Sequence, residues 1–266
     1  MKFSTTILSA ALLITSAIAT PFTERRVASD TVRASRIGRP ADKLDTLELT
    51  SPNGTSQTKY STNWSGAVLQ GTGYTLVTGE FTVPKPKPPP GASPSEKTCA
   101  SAWVGIDGYT CGSAILQTGV KFCVQGDEVS YAAWYEWYPD LTYDFSDFLI
   151  STGDVIKLTV NATSKNSGSA VVDNMTTGKS VTHEFTGVDY GDLCETNAEW
   201  IVEDFIAAGK LVPLTNFGTV TFSKAEATSG SKTVGLSKAT LIDIKKKQSI
   251  LTKSSLTRDG VTVSYV

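Results

Sequence analysis

Histidine is almost absent from this 266-residue chain, which contains only His183. This scarcity excludes most catalytic templates, because a Ser-His-Asp or Cys-His site would have to use His183 and a zinc site would lack its commonest ligand. His183 lies in an alternating run that favours an ordinary strand residue. The chain also has no Gly-x-Ser-x-Gly motif, which carries the nucleophile of α/β-hydrolases. Carboxylates and side-chain amides remain as candidates for chemistry.

Charge is the second shortage, since charged residues make up 19% of the chain against the roughly 25% usual in soluble domains. The formal net charge is −2 and the pI is about 5.5, so the sequence has no basic footprint for nucleic acid. We therefore expect no nucleic-acid partner. A weakly charged surface suits a protein that works near acidic pH. A free glutamate side chain has a pKa of about 4.3, so a glutamate base suits catalysis in the acid range.

Long apolar runs are also missing, apart from Ile7–Ile18 near the N-terminus. Lys2 precedes this stretch and the small-residue pattern Ala17-Ile18-Ala19 follows it, as in a secretory signal peptide. The stretch is shorter than the ~20 residues of a membrane span, which disfavours a membrane anchor. The sequence therefore predicts a signal peptide at residues 1–19 and a soluble protein secreted to the extracellular space.

Residues 20–57 are rich in Arg, Asp, Thr and Ser and show no sustained periodicity, which indicates a removable propeptide before a domain at residues 58–266. Basic side chains outnumber acidic ones before residue 56, and acidic ones outnumber basic ones after it. This asymmetry suggests that the propeptide inhibits its own enzyme as an electrostatic lid, although a solvated disordered leader is an equal alternative.

Short β-rich runs punctuated by Gly, Asn and Ser begin near Tyr60, at the spacing of a sandwich or barrel. The clearest runs are Ala67–Leu69, Val77–Val83, Ile156–Val160, Ser169–Val172 and Val181–Phe185. Residues 176–179 predict a hairpin turn, and the six prolines of Pro84–Pro94 predict an extended surface loop. Thr196–Phe205 is ambiguous, because its apolar spacing slightly favours a helix whereas a strand would place Glu199 and Glu203 on one face.

Aromatic residues are concentrated in the run Tyr131–Pro139. Alternation in a strand would place Trp134, Glu136 and Tyr138 on one face and Tyr135 and Trp137 on the other. One face could pack in the core while the other lines a groove for an extended peptide or a sugar chain. Aromatic packing in a two-layer core is an equally good interpretation.

Four ordered blocks resemble the fungal glutamic peptidases, or eqolisins, over about Asn63 to Val266. The blocks are Ser101–Gly108 (SAWVGIDG), Ala114–Gly119 (AILQTG), Ala133–Pro139 (AWYEWYP) and Thr196–Phe205 (TNAEWIVEDF). The resemblance implies a β-sandwich of two antiparallel sheets, of concanavalin-like or jelly-roll type, with the active site on a concave sheet face. It also implies that Thr196–Phe205 is a strand.

The same resemblance implies a pepstatin-insensitive acid endopeptidase that acts on polypeptides without a metal or cofactor. Its catalytic residues fall on Gln117 and Glu203. Supporting positions fall on Trp103, Asp107, Trp134, Glu136 and Tyr138. We expect a monomer.

Four cysteines in an exported chain favour two disulfides, and the sequence alone permits three pairings. The resemblance implies Cys111 with Cys194, which leaves Cys99 with Cys123.

Two departures from the family pattern concern subsite preference. Family members can carry Asp at the position of Ala132, and some have a cysteine-stapled hairpin where Ile206–Leu211 has no cysteine.

The main rival functions are a secreted glycoside hydrolase using Glu136 and Glu203 as paired carboxylates, or a carbohydrate-binding β-sandwich. Both explain the aromatic residues but not the leader.

Overall fold

The computed structural model describes residues 36–44, 58–207 and 210–266, and all of them belong to one compact unit. The predicted signal peptide and most of the predicted propeptide lie outside these residues. Strands dominate the described chain, whose one helical element is the short 3-10 helix η1 (Leu236–Lys238). No helix in these ranges is both long and apolar enough to cross a bilayer.

The described ranges contain twenty-one strands. In chain order they are β1 (Arg36–Ile37), β2 (Lys43–Leu44), β3 (Lys59–Ser61), β4 (Trp64–Gln70), β5 (Tyr74–Thr82), β6 (Lys97–Ile106), β7 (Ile115–Gln125), β8 (Glu128–Tyr138), β9 (Tyr143–Asp144), β10 (Val155–Ser164), β11 (Ser167–Asn174), β12 (Lys179–Phe185), β13 (Asn197–Glu203), β14 (Ile206–Ala207), β15 (Lys210–Leu211), β16 (Thr219–Ser229), β17 (Lys232–Val234), β18 (Thr240–Lys246), β19 (Ser249–Ile250), β20 (Thr252–Leu256) and β21 (Val261–Tyr265).

Two large sheets form a sandwich. The front sheet has ten strands in the order β2-β3-β18-β4-β13-β6-β7-β8-β9, with β19 attached to β18. The back sheet has eight strands in the order β12-β11-β10-β5-β16-β21-β20, with β17 attached to β16. The pairings between the described strands are antiparallel except that of β3 with β18. Strands β1, β14 and β15 form a small third sheet. The predicted all-β sandwich of two antiparallel sheets is confirmed.

Alternating apolar side chains from both sheets form the core between them. Leu158 and Val160 of β10 are buried there from the back sheet, and Ala198, Trp200 and Val202 of β13 from the front sheet. Each buried residue is followed by one that points to the opposite face, as the period of a strand requires. Burial of a Val or Leu side chain contributes about 1.5–3 kcal/mol, so this core is the main source of stability.

The central strands of the front sheet are buried on both faces, because a second apolar cluster covers the face that is turned away from the core. We call this face the outer face. The cluster consists of Trp64, Val68, Trp103, Ile115, Trp134, Ile201 and Ile242. Its large aromatic rings form the floor on which the candidate site lies.

Strand β13 corrects the helical interpretation of Thr196–Phe205. It pairs with β4 on one side and β6 on the other, so that Trp200 lies opposite both Ala67 and Val104. The apolar residues that matched a helical spacing serve two faces, because Ala198 packs in the core and Ile201 in the outer cluster. The apolar residues of these two faces together imitate a helical spacing, although the outer face of β13 is largely polar.

Two disulfides fasten the front sheet. Cys99 and Cys123 lie opposite each other on β6 and β7, and Cys111 joins Cys194 across 83 residues of sequence. The resemblance implied the second pair and left the first by elimination, so both predictions are confirmed. Pro84–Pro94 lies outside the strands, as its prolines predicted, and an isolated bridge joins its Lys87 to Asn216.

Candidate active site

The cross-strand register brings the polar residues of the candidate site onto one face. Glu199 lies opposite Gly105, Gly105 opposite Gln117, and Gln117 opposite Glu136, so the four form one row across β13, β6, β7 and β8. Glu203 lies four residues further along β13. Side-chain alternation turns all of them to the outer face, away from Ala198 and its core neighbours.

Trp103 lies between Glu203 and Gln117. Its indole Nε1 donates a hydrogen bond to Glu203 Oε2 at 2.9 Å. The other edge of the ring covers Gly105, where an added Cβ would lie 2.9 Å from Trp103 Cζ3 and 3.3 Å from Gln117 Cβ. A glycine at position 105 therefore allows the indole to fit, with Glu203 at one edge and Gln117 at the other.

The side-chain amide of Gln117 is fully buried, and neither Oε1 nor Nε2 has a hydrogen-bond partner among the described residues. Leaving a buried polar group unpaired costs about 1–3 kcal/mol, so such a group in a folded protein calls for a specific explanation. The amide carries one acceptor and two donor hydrogens. Gln117 is therefore equipped to bind a ligand oxygen or a water molecule on the outer face.

Glu136, opposite Gln117, is also fully buried. Its Oε2 accepts hydrogen bonds from Thr142 Oγ1 and from the backbone N–H of Gly38, the latter at 3.2 Å. The carboxylate thus accepts a main-chain N–H donor at the site itself. A peptide chain lying over Gln117 would present the same kind of donor.

Residues 36–44, a part of the predicted propeptide, cross the outer face. At one end β1 pairs with β14, and at the other β2 pairs with β3. Between them, the Ala41 N–H donates to Gly108 O at 3.1 Å and the Asp42 N–H to Asn63 Oδ1 at 2.8 Å. The segment is thus held mainly through its backbone.

Gly38 lies directly over the polar row. A Cβ added at this position would overlap Gln117 Nε2 and both carboxylate oxygens of Glu136. Gly38 is buried, whereas the next residue, Arg39, is exposed. A methyl group at this point would therefore require the ends of the Gln117 and Glu136 side chains to move.

Trp134 and Tyr138 complete the floor. The Trp134 indole N–H donates to Ser101 Oγ at 2.9 Å, two strands away, so its ring crosses β7 near Gly119, the residue opposite Trp134. Tyr138 is half-buried and packs against the same outer cluster. Both lie on the face that the alternation of the aromatic run predicted, while Tyr135 and Trp137 pack on the core side.

Asp107 supports the site indirectly. It has a left-handed backbone conformation, with φ of 70°, and its carboxylate accepts backbone N–H bonds at 2.7–3.3 Å. The donors are Cys194, Glu195, Thr196 and Asn197. These bonds fix the segment that leads into β13 and so set the position of Glu203.

Glu199 is a buried carboxyl group to which the sequence assigned no role. It is fully buried, and neither oxygen has a hydrogen-bond partner among the described residues. Burial, followed by the negative charge of Asp107, raises the pKa of Glu199 well above its ordinary value. The group is therefore neutral under acidic conditions. The period-two pattern that puts Glu199 and Glu203 on one face was the signal that could have found it.

Histidine and cysteine have structural roles in the described chain. His183 stacks on Tyr135 with 3.9 Å between ring centroids, on the core side of β8, so it does not join the outer-face site. One group of potential metal ligands occurs among the described residues, formed by Asp107, Cys111 and Cys194. Its two sulfurs form a disulfide, and its carboxylate is engaged by backbone N–H groups.

Known proteins resemble this chain over most of its length. The chain is 55% identical to aspergillopepsin-2 from Aspergillus niger over 287 residues, and 36% identical to scytalidopepsin B from Scytalidium lignicola over 278 residues, with all of each chain covered. The crystal structure of scytalido-glutamic peptidase with a transition state analog inhibitor matches with a TM-score of 0.71 at 40% identity, covering 77% of this chain and 98% of that one. The peptidase A4 family model matches residues 62–265. The chain therefore belongs to the peptidase A4 family and is a glutamic endopeptidase.

Proposed function

We propose that this glutamic endopeptidase is secreted as a zymogen, works at acid pH and cleaves peptide bonds with Gln117 and Glu203. The observation that carries the proposal is the position of these two groups at opposite edges of the Trp103 indole, with the Gln117 amide buried and without a hydrogen-bond partner among the described residues. Peptide hydrolysis needs a base, an oxyanion donor and an acid, and two side chains can supply all three.

Glu203 is the general base in this scheme. Its carboxylate takes a proton from a water molecule as the water oxygen attacks the carbonyl carbon of the substrate. The Trp103 N–H bond to Oε2 holds the carboxylate in one orientation during this step. Orientation of this kind matters because proton transfer requires hydrogen-bond distance between the base and the proton that it removes.

Gln117 is the oxyanion donor. Its Oε1 orients the attacking water and its Nε2 donates to the carbonyl oxygen as negative charge develops there. An amide does not titrate, so this contribution is independent of pH. A donor in a buried site stabilises the transition state more than it would in water, because the surrounding dielectric is low.

The second half of the reaction returns the proton. The C–N bond breaks, the proton on Glu203 passes to the leaving nitrogen, and the carboxylate is regenerated as the new acid and amine depart. Glu136 accepts a substrate main-chain N–H, as it accepts that of Gly38. Trp134 and Tyr138 provide apolar contact for the substrate on either side.

The propeptide keeps the precursor inactive. Residues 36–44 lie where a substrate would lie, and Gly38 covers both Gln117 and Glu136. Because Gly38 leaves no room for a substrate carbonyl beside Gln117, removal or displacement of this segment is required for activity. The predicted signal at residues 1–19 is consistent with export of the precursor before activation.

Digestion of casein at acid pH, with and without pepstatin, tests the proposed function. We expect the processed enzyme to digest casein equally in both reactions, and pepstatin to block a parallel reaction with pepsin. Strong inhibition by pepstatin, or digestion only at neutral pH, would contradict the proposal. Secretion is tested by the presence of the processed chain in culture medium.

A further inference from the structure

Lys121 lies on the same face of β7 as Gln117, four residues further along the strand. The register places it opposite Ser101 of β6, and Glu203 of β13 is the next residue in that row. Lys121 therefore shares one face with the proposed catalytic residues, on the side of Gly119 remote from Gln117. It is a positive charge on the face that carries Gln117 and Glu203.

Asp144 holds this lysine in place. The Lys121 Nζ lies 3.1 Å from Asp144 Oδ2 and 3.3 Å from Oδ1, and the two side chains are 23% and 28% exposed. Asp144 sits on the short edge strand β9, opposite Trp134. An ammonium group has three donor hydrogens, and one carboxylate does not satisfy all of them. The paired lysine thus keeps donor capacity toward the open edge of the face.

The surface between Gln117 and Lys121 suits an extended chain. Gly119 has no side chain, and the Trp134 indole crosses β7 there to reach Ser101. Ala132, opposite Lys121 on β8, contributes only a methyl group. A substrate strand can therefore run from Gln117 over the indole to the ammonium without meeting a bulky side chain.

We infer that Lys121, held by Asp144, is a specificity-determining residue that recognises an acidic side chain of the substrate near the cleaved bond. Four residues of β7 span about 13 Å, and a lysine side chain reaches roughly half of that distance, so the preferred acidic residue lies about two to four positions from the cleaved bond. This inference rests on the proposed function, because it assumes that cleavage occurs at Gln117 and Glu203. The inference also explains the departure from the family pattern at Ala132, because a methyl group there leaves room for the substrate strand beside Lys121.

Matched peptides test the inference. Each carries one cleavable bond in a neutral background, with Glu, Gln or Lys at a single position from two to four residues on either side of that bond. Cleavage is followed at about pH 5, where most free glutamate side chains are ionised and lysine is positive. At one position we expect kcat/KM to be about threefold to fivefold higher for Glu than for Gln, and lowest for Lys, as is usual for a partly exposed ion pair.

Two variants with opposite effects identify the residue responsible. Lys121→Glu should reverse the order, so that the Lys peptide becomes better than the Glu peptide at that position. Asp144→Asn removes the internal competitor for the ammonium and should increase the Glu preference. Both effects should appear mainly in KM, because the side chain at position 121 contacts the substrate equally in the ground state and in the transition state.

Lys224→Gln is the matched control, since Lys224 also forms an ion pair, at 2.9 Å with Glu80, but lies on β16 of the back sheet. It should leave the ratio between peptides unchanged. An identical Glu-to-Lys ratio in the wild type and in Lys121→Glu at all tested positions would overturn the inference. Failure of the wild type to cleave the neutral Gln peptides would instead overturn the proposed function, so the two failures are distinguishable.

Discussion

The indole N–H of Trp103 donates to the Glu203 carboxylate at 2.9 Å, and both side chains are buried. The bond fixes the proposed base against the same ring whose far edge borders Gln117. A mispositioned base loses rate even when its chemistry is intact, because reacting groups must be held in a narrow range of geometries. Trp103 is thus the residue that couples the two proposed catalysts.

Trp103→Phe should reduce kcat by about tenfold to a hundredfold, because a hydrogen bond to a charged group contributes roughly 1.5–3 kcal/mol. Initial rates with a peptide substrate measure this effect. Trp137→Phe is the control, since it removes a similar indole bond, to Gly191 O at 2.9 Å, on the core side of the sheet. Equal losses in kcat for the two variants would show that the Trp103 effect is a general packing effect.

Gln117→Ala should lower kcat by about 10²–10³, the usual loss when one oxyanion donor is removed. Gln117→Glu should be impaired as well, because a carboxylate supplies no N–H donor to the developing oxyanion. Steady-state kinetics at acid pH measure both. Wild-type kcat in Gln117→Glu would remove the amide from the mechanism.

Gly38 should be essential for inhibition by the propeptide. A synthetic peptide of residues 36–44 should inhibit the processed enzyme, and Gly38→Ala in this peptide should raise the inhibition constant at least about tenfold, because the new methyl group overlaps Gln117 and Glu136. Arg39→Ala is the matched control, since Arg39 is exposed and its truncation should change the constant little. Equal inhibition by the native and Gly38→Ala peptides would place the inhibitory contact elsewhere.

The folded protein should be most stable in acid. Burial raises the pKa of Glu199, of Asp243 and of Asp204, the last to about 6 even though Lys246 opposes the shift. A carboxyl group with a higher pKa in the folded than in the unfolded state holds its proton more tightly when folded. Its contribution is complete below about pH 4 and is lost as pH rises through the folded pKa. Tm should therefore fall from pH 4 to pH 8.

Glu199→Gln isolates one of these groups, because glutamine keeps the shape but does not ionise. Its Tm should fall less than that of the wild type between pH 4 and pH 8, as measured by circular dichroism. Glu96→Gln, at an exposed position, should keep the wild-type dependence. A Glu199→Gln curve that parallels the wild type would show that Glu199 does not contribute to the loss of stability at higher pH.

An all-β fold and the two faces of the aromatic run could be predicted from local patterns. The run Tyr131–Pro139 alternates, and the structure puts Trp134 on the outer face and Trp137 in the core as that alternation required. The spacing of apolar residues in Thr196–Phe205 wrongly indicated a helix, because this segment lies at the centre of a sheet that is covered on both sides. Only the family resemblance indicated a strand there.

Other parts of the site depend on contacts between distant segments. The Gln117 side chain does not ionise, and no general catalytic motif includes it, so the resemblance alone assigned its role. The approach of Gly38 to Glu136 spans 98 residues, and the pairing of Lys121 with Asp144 depends on the register of three strands. Composition and spacing carry no information about such contacts, because they are fixed by strand order in the folded sheet.

Replacement of Glu203 tests the central claim most directly. Glu203→Gln keeps the side-chain volume and the hydrogen bond from Trp103 but removes the carboxylate. The rate of casein digestion at acid pH should therefore fall by a factor of at least about 10³. The near-ultraviolet circular dichroism spectrum should stay that of the wild type. Turnover within about tenfold of the wild type, in a variant with that native spectrum, would contradict Glu203 as the catalytic base.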